Sequence, residues 1–539
     1  MFEKIRQFKT SLFLGILISL SLLLFSFILF QALYTSQNSE LFSQIDTRTI
    51  GLLKFTLYQA FLSTILSLLV GVLLAWALAH QSHFRGRGLL VALFSSSLVL
   101  PTLIVVFGLI GIFGRSGYLN QLSMFFFDTS FGAYLYGLGG ILLAHVYLNA
   151  SFASRALLHS FESIPQEKYK LAKSLNFSVL ERFLYVEYPA LKSTLLSIGS
   201  TIFLLCFTSF AVVLLLGGSP SYNTLEVAIY EAVKLDFDIG MALKLALIQL
   251  SISAVLVVLS SGFRTGLANL KTSHTLIPWK EPKTLQVIQW FIIGVFTLFF
   301  VLPLVAILLD GIGADFGRIL REPLFIKSFI TSVSLATVSS ILTVIIAVLL
   351  SNARRNFTLP TRLASKPFSK LLDGIIAFSG NLYLAIPSLV LGLGFFLMYQ
   401  NSDGSELLWS TAALLTANVL MSLPFALSVL TPAMHKTAQR YDKLAFSLGL
   451  SKVQRWFYVE YPYIKSSLGY VFALAFCFSL GDLGIIALFG SDEFSTLPWY
   501  LYQLMGSYRT TDAAGVALML LVLVLGVFIL LPKLFKEKL

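Results

Sequence analysis

Apolar and polar residues fall in blocks along this chain rather than alternating. Runs of about 20 apolar residues recur from end to end, each long enough for a helix across a bilayer core. Twelve are placed, at 11–33, 55–80, 88–113, 134–155, 191–216, 239–263, 286–309, 328–351, 374–400, 407–430, 466–489 and 512–532. In lipid the backbone must satisfy its own hydrogen bonds, which leaves helices or closed barrels. Barrel strands would alternate over about ten residues, and these runs do not. The pattern predicts an all-α polytopic membrane protein with twelve transmembrane helices. The first run follows "MFEKIRQFK". It is longer than the apolar core of a secretory leader and lacks a small-residue cleavage site after it, so it is read as a retained helix.

The polar blocks repeat. Residues 166–193, "QEKYKLAKSLNFSVLERFLYVEYPALKS", and 439–466, "QRYDKLAFSLGLSKVQRWFYVEYPYIKS", share 15 of 28 positions at an offset of 273. Each lies between the fourth and fifth run of its half. Weaker echoes pair 100–109 with 386–395 and "NTLEVAIY" (223–230) with "STLPWYLY" (495–502). Two six-helix halves keep the same orientation, so the repeats are parallel, about an axis along the membrane normal. The expected division is a first helix and outer loop (1–50), a first repeat domain (51–263), a cytoplasmic linker with the seventh helix and its outer loop (264–327), a second repeat domain (328–532) and a cytoplasmic tail (533–539). The segment joining the halves, 264–285, is polar, basic and holds two prolines.

Composition agrees: 57% of residues are hydrophobic and 12% charged, about half the charge of a soluble chain, with mean hydropathy +0.84. The net charge of +12 sorts by side. With the N-terminus inside and twelve alternating helices, 29 of the 38 Lys and Arg fall on the inner side. That is the positive-inside pattern, with both termini cytoplasmic. No basic stripe with aromatic platforms is present, so nucleic acid is not an expected partner. Cys206 and Cys477 lie inside runs and read as small apolar fillers. No metal-ligand spacing is seen.

This topology puts both copies of the repeated phrase in the cytosol. In the second, Tyr441, Leu444, Ala445 and Leu448 share a helical face. Gly449 ends that helix, and Asn176 takes its place in the first copy, the residues best suited to a left-handed stop. Pro189 and Pro462 read as turns into the next membrane helix. One account lays both segments on anionic headgroups. The other docks them on two equivalent surfaces of a symmetric cytosolic partner, and the retained order of Gly, Pro and apolar positions favours it.

The spacing Ala-x-x-x-Gly, thirteen positions, then Pro, written KLAFSLG…YVEYP and KLAKSLN…YVEYP, resembles the EAA loop of binding-protein-dependent ABC-importer permeases of type I. The resemblance implies that Lys170, Leu171, Ala172, Leu175, Asn176 and Pro189, with Lys443, Leu444, Ala445, Leu448, Gly449 and Pro462, form coupling helices. These dock on two copies of a cytosolic ATPase. Lys170 and Lys443 stand where the family has Glu, and Asn176 where it has Gly. Residues 203–238 are similar to the fifth helix and outer loop of permeases for thiamine and thiamine pyrophosphate. The fused twelve-helix layout also fits ferric-iron permeases, so iron is the alternative cargo. The implied location is a bacterial inner membrane, with a periplasmic substrate-binding protein as a further partner.

The chain lacks a P-loop, nucleophile elbow or Cys/His cluster. It is expected to be a transport subunit rather than an enzyme. It would bind no cofactor or metal, and ATP would be used by the partner. An ion-gradient-driven carrier is the alternative of another class, although an intramembrane relay of acids is not seen. The one acid well inside a run is Asp482, readable as a polar group in the path or as a cap on a helix break; Ser209 is its repeat partner. His145 reads as a packing residue. An aromatic cation would suit ring faces. Phe207, Phe210 and Tyr230 in one half, and Phe478 and Tyr502 in the other, join Ser209 and Asp482 as path candidates, with Tyr222 and Trp499 nearby.

Overall fold

In the computed structural model, residues 2–35, 46–261, 281–358, 367–400 and 405–535 are described, and among them all regular structure is helical. Residues 264–280 of the expected linker and 536–539 of the expected tail lie outside the described residues. Among the described residues eleven helices are long and apolar enough to cross a membrane, and twelve result when the bent pair Ser369–Leu384 and Ser388–Gln400 counts as one span.

Each half is built on one long helix pair. Thr47–His80 packs along Leu138–Glu162, and Pro323–Thr358 packs along Glu406–Ser447. Small residues permit the close approach, as expected where lipid gives helices no hydrophobic reason to associate. A Cβ on Gly71 would come within 2.7 Å of the Ala153 Cβ.

The first and seventh spans are exchanged between the halves. The first packs on Pro323–Thr358 and on both arms of the bent pair, all in the second half. Ser26 hydrogen-bonds to the Tyr383 hydroxyl at 2.8 Å, and Gly15 faces Ala353. The seventh, Lys283–Ile312, packs on Thr47–His80 and Thr102–Phe113 of the first half as well as on Thr510–Leu534 of the second. There Tyr147 stacks on Phe300 at 4.8 Å and donates its hydroxyl to the Phe300 carbonyl at 2.8 Å.

Two expected spans are broken rather than straight. The run 88–113 forms Arg87–Ser95, a tight turn at Ser96–Leu98, and Thr102–Phe113. Pro101, at ψ 130°, separates them. The run 374–400 bends by 92° just before Ser388, after Pro387. In both cases proline disfavours helical backbone in the residue before it. The expected spans 191–216 and 466–489 are also broken. Their helices end at Phe207 and Gly481, and the short helices Ala211–Leu216 and Gly484–Phe489 follow.

Candidate functional site

The two segments expected to act as coupling helices, called coupling segments for that expectation, differ in how they leave the membrane domain. In the first half Leu138–Glu162 ends, and Gln166–Ser174 starts after Pro165 as a separate helix. The second half has Ala438 at the equivalent position, and Glu406–Ser447 runs through without a break. Both stop alike. Asn176 (φ 53°) and Gly449 (φ 63°) occupy the left-handed region. The next N–H returns to the carbonyl five residues back: Phe177 to Ala172 at 3.0 Å and Leu450 to Ala445 at 3.1 Å. This is a glycine-type helix stop.

The apolar positions of these segments divide between two faces. Leu171 and Leu175 are 60% and 57% exposed, and their equivalents Leu444 and Leu448 are 56% and 66% exposed. Ala172 and Ala445 are buried. The single apolar face read from the sequence is therefore corrected: the leucines point out and the alanines anchor the segment. Lys170 and Lys443 are exposed.

Pro189 and Pro462 are not at turns, which corrects the sequence reading. Each is the second residue of a helix that continues without a break from a wide π-helical turn, Phe183–Glu187 or Trp456–Glu460. Proline lacks an N–H and its ring crowds the carbonyl four residues back. The wider turn relieves that crowding. The N–H of Tyr188 bonds the Phe183 carbonyl, and that of Tyr461 the Trp456 carbonyl. Such turns often mark functional sites.

The π turn aligns residues five apart. Arg182 Nε meets Glu187 Oε1 at 3.1 Å, and Arg455 Nε meets Glu460 Oε1 at 2.7 Å. Around the first pair, His80 Nε2 lies 3.2 Å from Glu187 and 3.3 Å from Glu281, and Arg182 Nη2 donates to Glu281 at 2.5 Å. The coupling-helix residue Tyr169 lies beside Glu187, and burial pushes its phenol pKa up. In the second half Arg355 joins Glu460 to Asp442 of the coupling segment. Tyr169 and Asp442 are repeat equivalents, so each coupling segment is tied to its membrane helices at the same place by different chemistry. None of these nine ionic and phenolic residues was singled out from sequence. The repeated Arg-x-x-x-x-Glu spacing was the available signal.

A cavity of about 280 Å³ lies where the broken helices of both halves meet. Ser209, Phe210, Phe478 and Asp482 line it, as do His145 and Asn149. His145 is therefore at the cavity as well as packed: Ser63 Oγ lies 2.9 Å from Nδ1 and Ser209 Oγ 2.9 Å from Nε2. Phe207 is fully buried against Phe203 and does not line the cavity. Tyr230 and Tyr502 lie beyond it, on the side opposite the coupling segments. The Tyr230 ring packs on Phe210 at 5.4 Å, Tyr502 packs on Trp499 at 5.5 Å, and the two hydroxyls face each other.

Known proteins share both halves. The family described as "Binding-protein-dependent transport system inner membrane component" matches residues 67–267 and 357–534. The thiamine transport system permease protein ThiP of Salmonella typhimurium is 38% identical over 512 residues, covering 94% of this chain and 93% of that protein. ThiP of Escherichia coli is 37% identical, covering 91% and 90%, and ThiP of Haemophilus influenzae is 38% identical, covering 88% and 86%. A putative 2-aminoethylphosphonate permease, PhnU of Salmonella typhi, is 29% identical over 40% of the chain. Two matched modules, each with its coupling segment and broken fifth helix, make this chain a member of the binding-protein-dependent transport permease family.

Proposed function

We propose that the chain is the membrane-spanning subunit of an ATP-driven importer that moves thiamine, free or phosphorylated, from periplasm to cytoplasm. The observation that carries this reading is likeness to thiamine permeases along both halves, at 38% identity over 94% of the chain. The coupling segments support the ATP-driven part. Two pairs of exposed leucines, at repeat-equivalent positions on one side, suit two copies of one ATPase. Lys170, Asn176, Lys443 and Gly449 belong to the same docking segments. Pro189 and Pro462 position them through the π turns.

In this reading both termini are cytoplasmic and the membrane is the bacterial inner membrane. A periplasmic binding protein docks on the opposite side, and this chain binds no cofactor. ATP binding draws the two ATPases together and pulls the coupling segments with them. The ion pairs at Glu187 and Glu460 carry that movement to the fifth and eleventh helices. The cavity then opens past Tyr230 and Tyr502 to receive cargo from the binding protein, and hydrolysis reverses the change. The test is growth of a thiamine-requiring strain lacking its own importer on limiting thiamine. Rescue by this chain with its ATPase and binding protein is expected. Rescue of ferric-iron uptake instead would favour the alternative cargo.

A further inference from the structure

Among the described residues lining the cavity, the helix break at Asp482 is the place where the repeat changes charge. Its equivalent is Ser209, whose hydroxyl is taken up by His145 at 2.9 Å. The Asp482 carboxylate faces the backbone N–H groups of Gly484 and Ile485 at the start of the following short helix. The Asp482 side chain is part-exposed at the cavity, and among the described residues none hydrogen-bonds its inner oxygen, Oδ2. No Lys or Arg is among the described residues lining the cavity. An intramembrane acid without a cationic partner is costly, and such acids normally face a partner or a transport path.

The surroundings suit a particular partner. Phe210, Phe425 and Phe478 line the same space, and ring faces attract cations. His145 has a serine at each ring nitrogen and leaves no lone pair for a metal ion. At about 30 Å³ per water, the volume of about 280 Å³ exceeds that of a bare inorganic ion and admits a small ring compound. We propose that Asp482 is a specificity-determining residue that pairs with an organic cation, the charged heteroaromatic ring of the cargo, as it crosses the cavity. The proposal rests on the thiamine reading and assigns to one carboxylate the recognition of the thiazolium charge.

The test uses the full complex with its ATPase and binding protein in liposomes. Asp482→Asn keeps an oxygen to cap the short helix and removes the charge; Asp482→Glu keeps the charge. ATP-driven thiamine uptake should fall about tenfold in Asp482→Asn, as for loss of a buried charge contact, and stay within about twofold in Asp482→Glu. A second arm measures binding to the permease–ATPase complex, with thiamine and with thiochrome, its uncharged ring-closed oxidation product. Asp482→Asn should weaken thiamine about tenfold and leave thiochrome unchanged. Equal weakening of both, or unchanged thiamine uptake in Asp482→Asn, would overturn the proposal while leaving the transport reading intact. A wild-type complex that moves no thiamine would overturn both.

Discussion

Arg182 and Glu187 stand five residues apart on a π-helical turn and close a fully buried ion pair at 3.1 Å. Arg455 and Glu460 repeat the contact at 2.7 Å in the second half, there with Arg455 partly exposed. The glutamate of the twice-written YVEYP phrase is thus the joint between each coupling segment and its membrane helix.

Breaking this joint should be expensive. Removing one partner of a buried pair leaves an uncompensated charge, at a cost of about 3–5 kcal/mol. Glu187→Ala is expected to lower the thermal unfolding temperature of the purified chain markedly. The triple variant Arg182→Met/Glu187→Leu/Glu281→Gln should recover much of it, because it leaves no carboxylate of the cluster without its arginine and well-packed apolar groups can replace a buried ion pair. Uptake should stay low in the triple variant, where the joint beside Tyr169 is gone.

The exposed leucines should matter to partners and not to folding. Leu171→Asp with Leu444→Asp is expected to abolish co-purification of the ATPase while insertion and melting temperature stay near wild type. Surface substitutions usually change stability by no more than about 0.5 kcal/mol. Retained ATPase binding would remove these segments as the docking site.

The helix stops give an opposed pair of variants. A Cβ on Gly449 would meet open space, but its φ of +63° disfavours a branched side chain. Gly449→Val should cost about 1–2 kcal/mol locally and cut coupled transport without affecting insertion. Asn176→Gly should be tolerated or mildly stabilising, by up to about 1 kcal/mol. Thermal melts and ATP-driven uptake check both.

Much of the architecture was legible in the sequence, because lipid imposes long apolar runs and leaves few ways to satisfy their backbones. The stops at Asn176 and Gly449 were legible for a similar reason: few residues enter the left-handed region readily. Pro189 and Pro462 misled. A proline after a polar segment reads as a turn, whereas a wider helical turn accommodates both here. The exchange of the first and seventh spans was not legible, since hydropathy marks Phe300 as apolar without naming Tyr147 as its neighbour. Asp482 stood out as a lone intramembrane acid. His145 was assigned to packing alone because its two serine partners lie 82 and 64 residues away.

Tyr230 and Tyr502 are repeat equivalents that meet hydroxyl to hydroxyl across the two halves. Removing both rings should open the side of the cavity away from the coupling segments. Tyr230→Ala/Tyr502→Ala is expected to raise the passive loss of trapped thiamine from loaded vesicles without ATP, while each single variant leaks less. A double variant as tight as wild type would place the closure elsewhere.

The most direct test of the whole account is thiamine accumulation in liposomes holding the purified chain, with and without its ATPase and binding protein. The account predicts accumulation only when all three components and ATP are present, and none with the chain alone under any imposed ion gradient. Gradient-driven accumulation by the chain alone would contradict it.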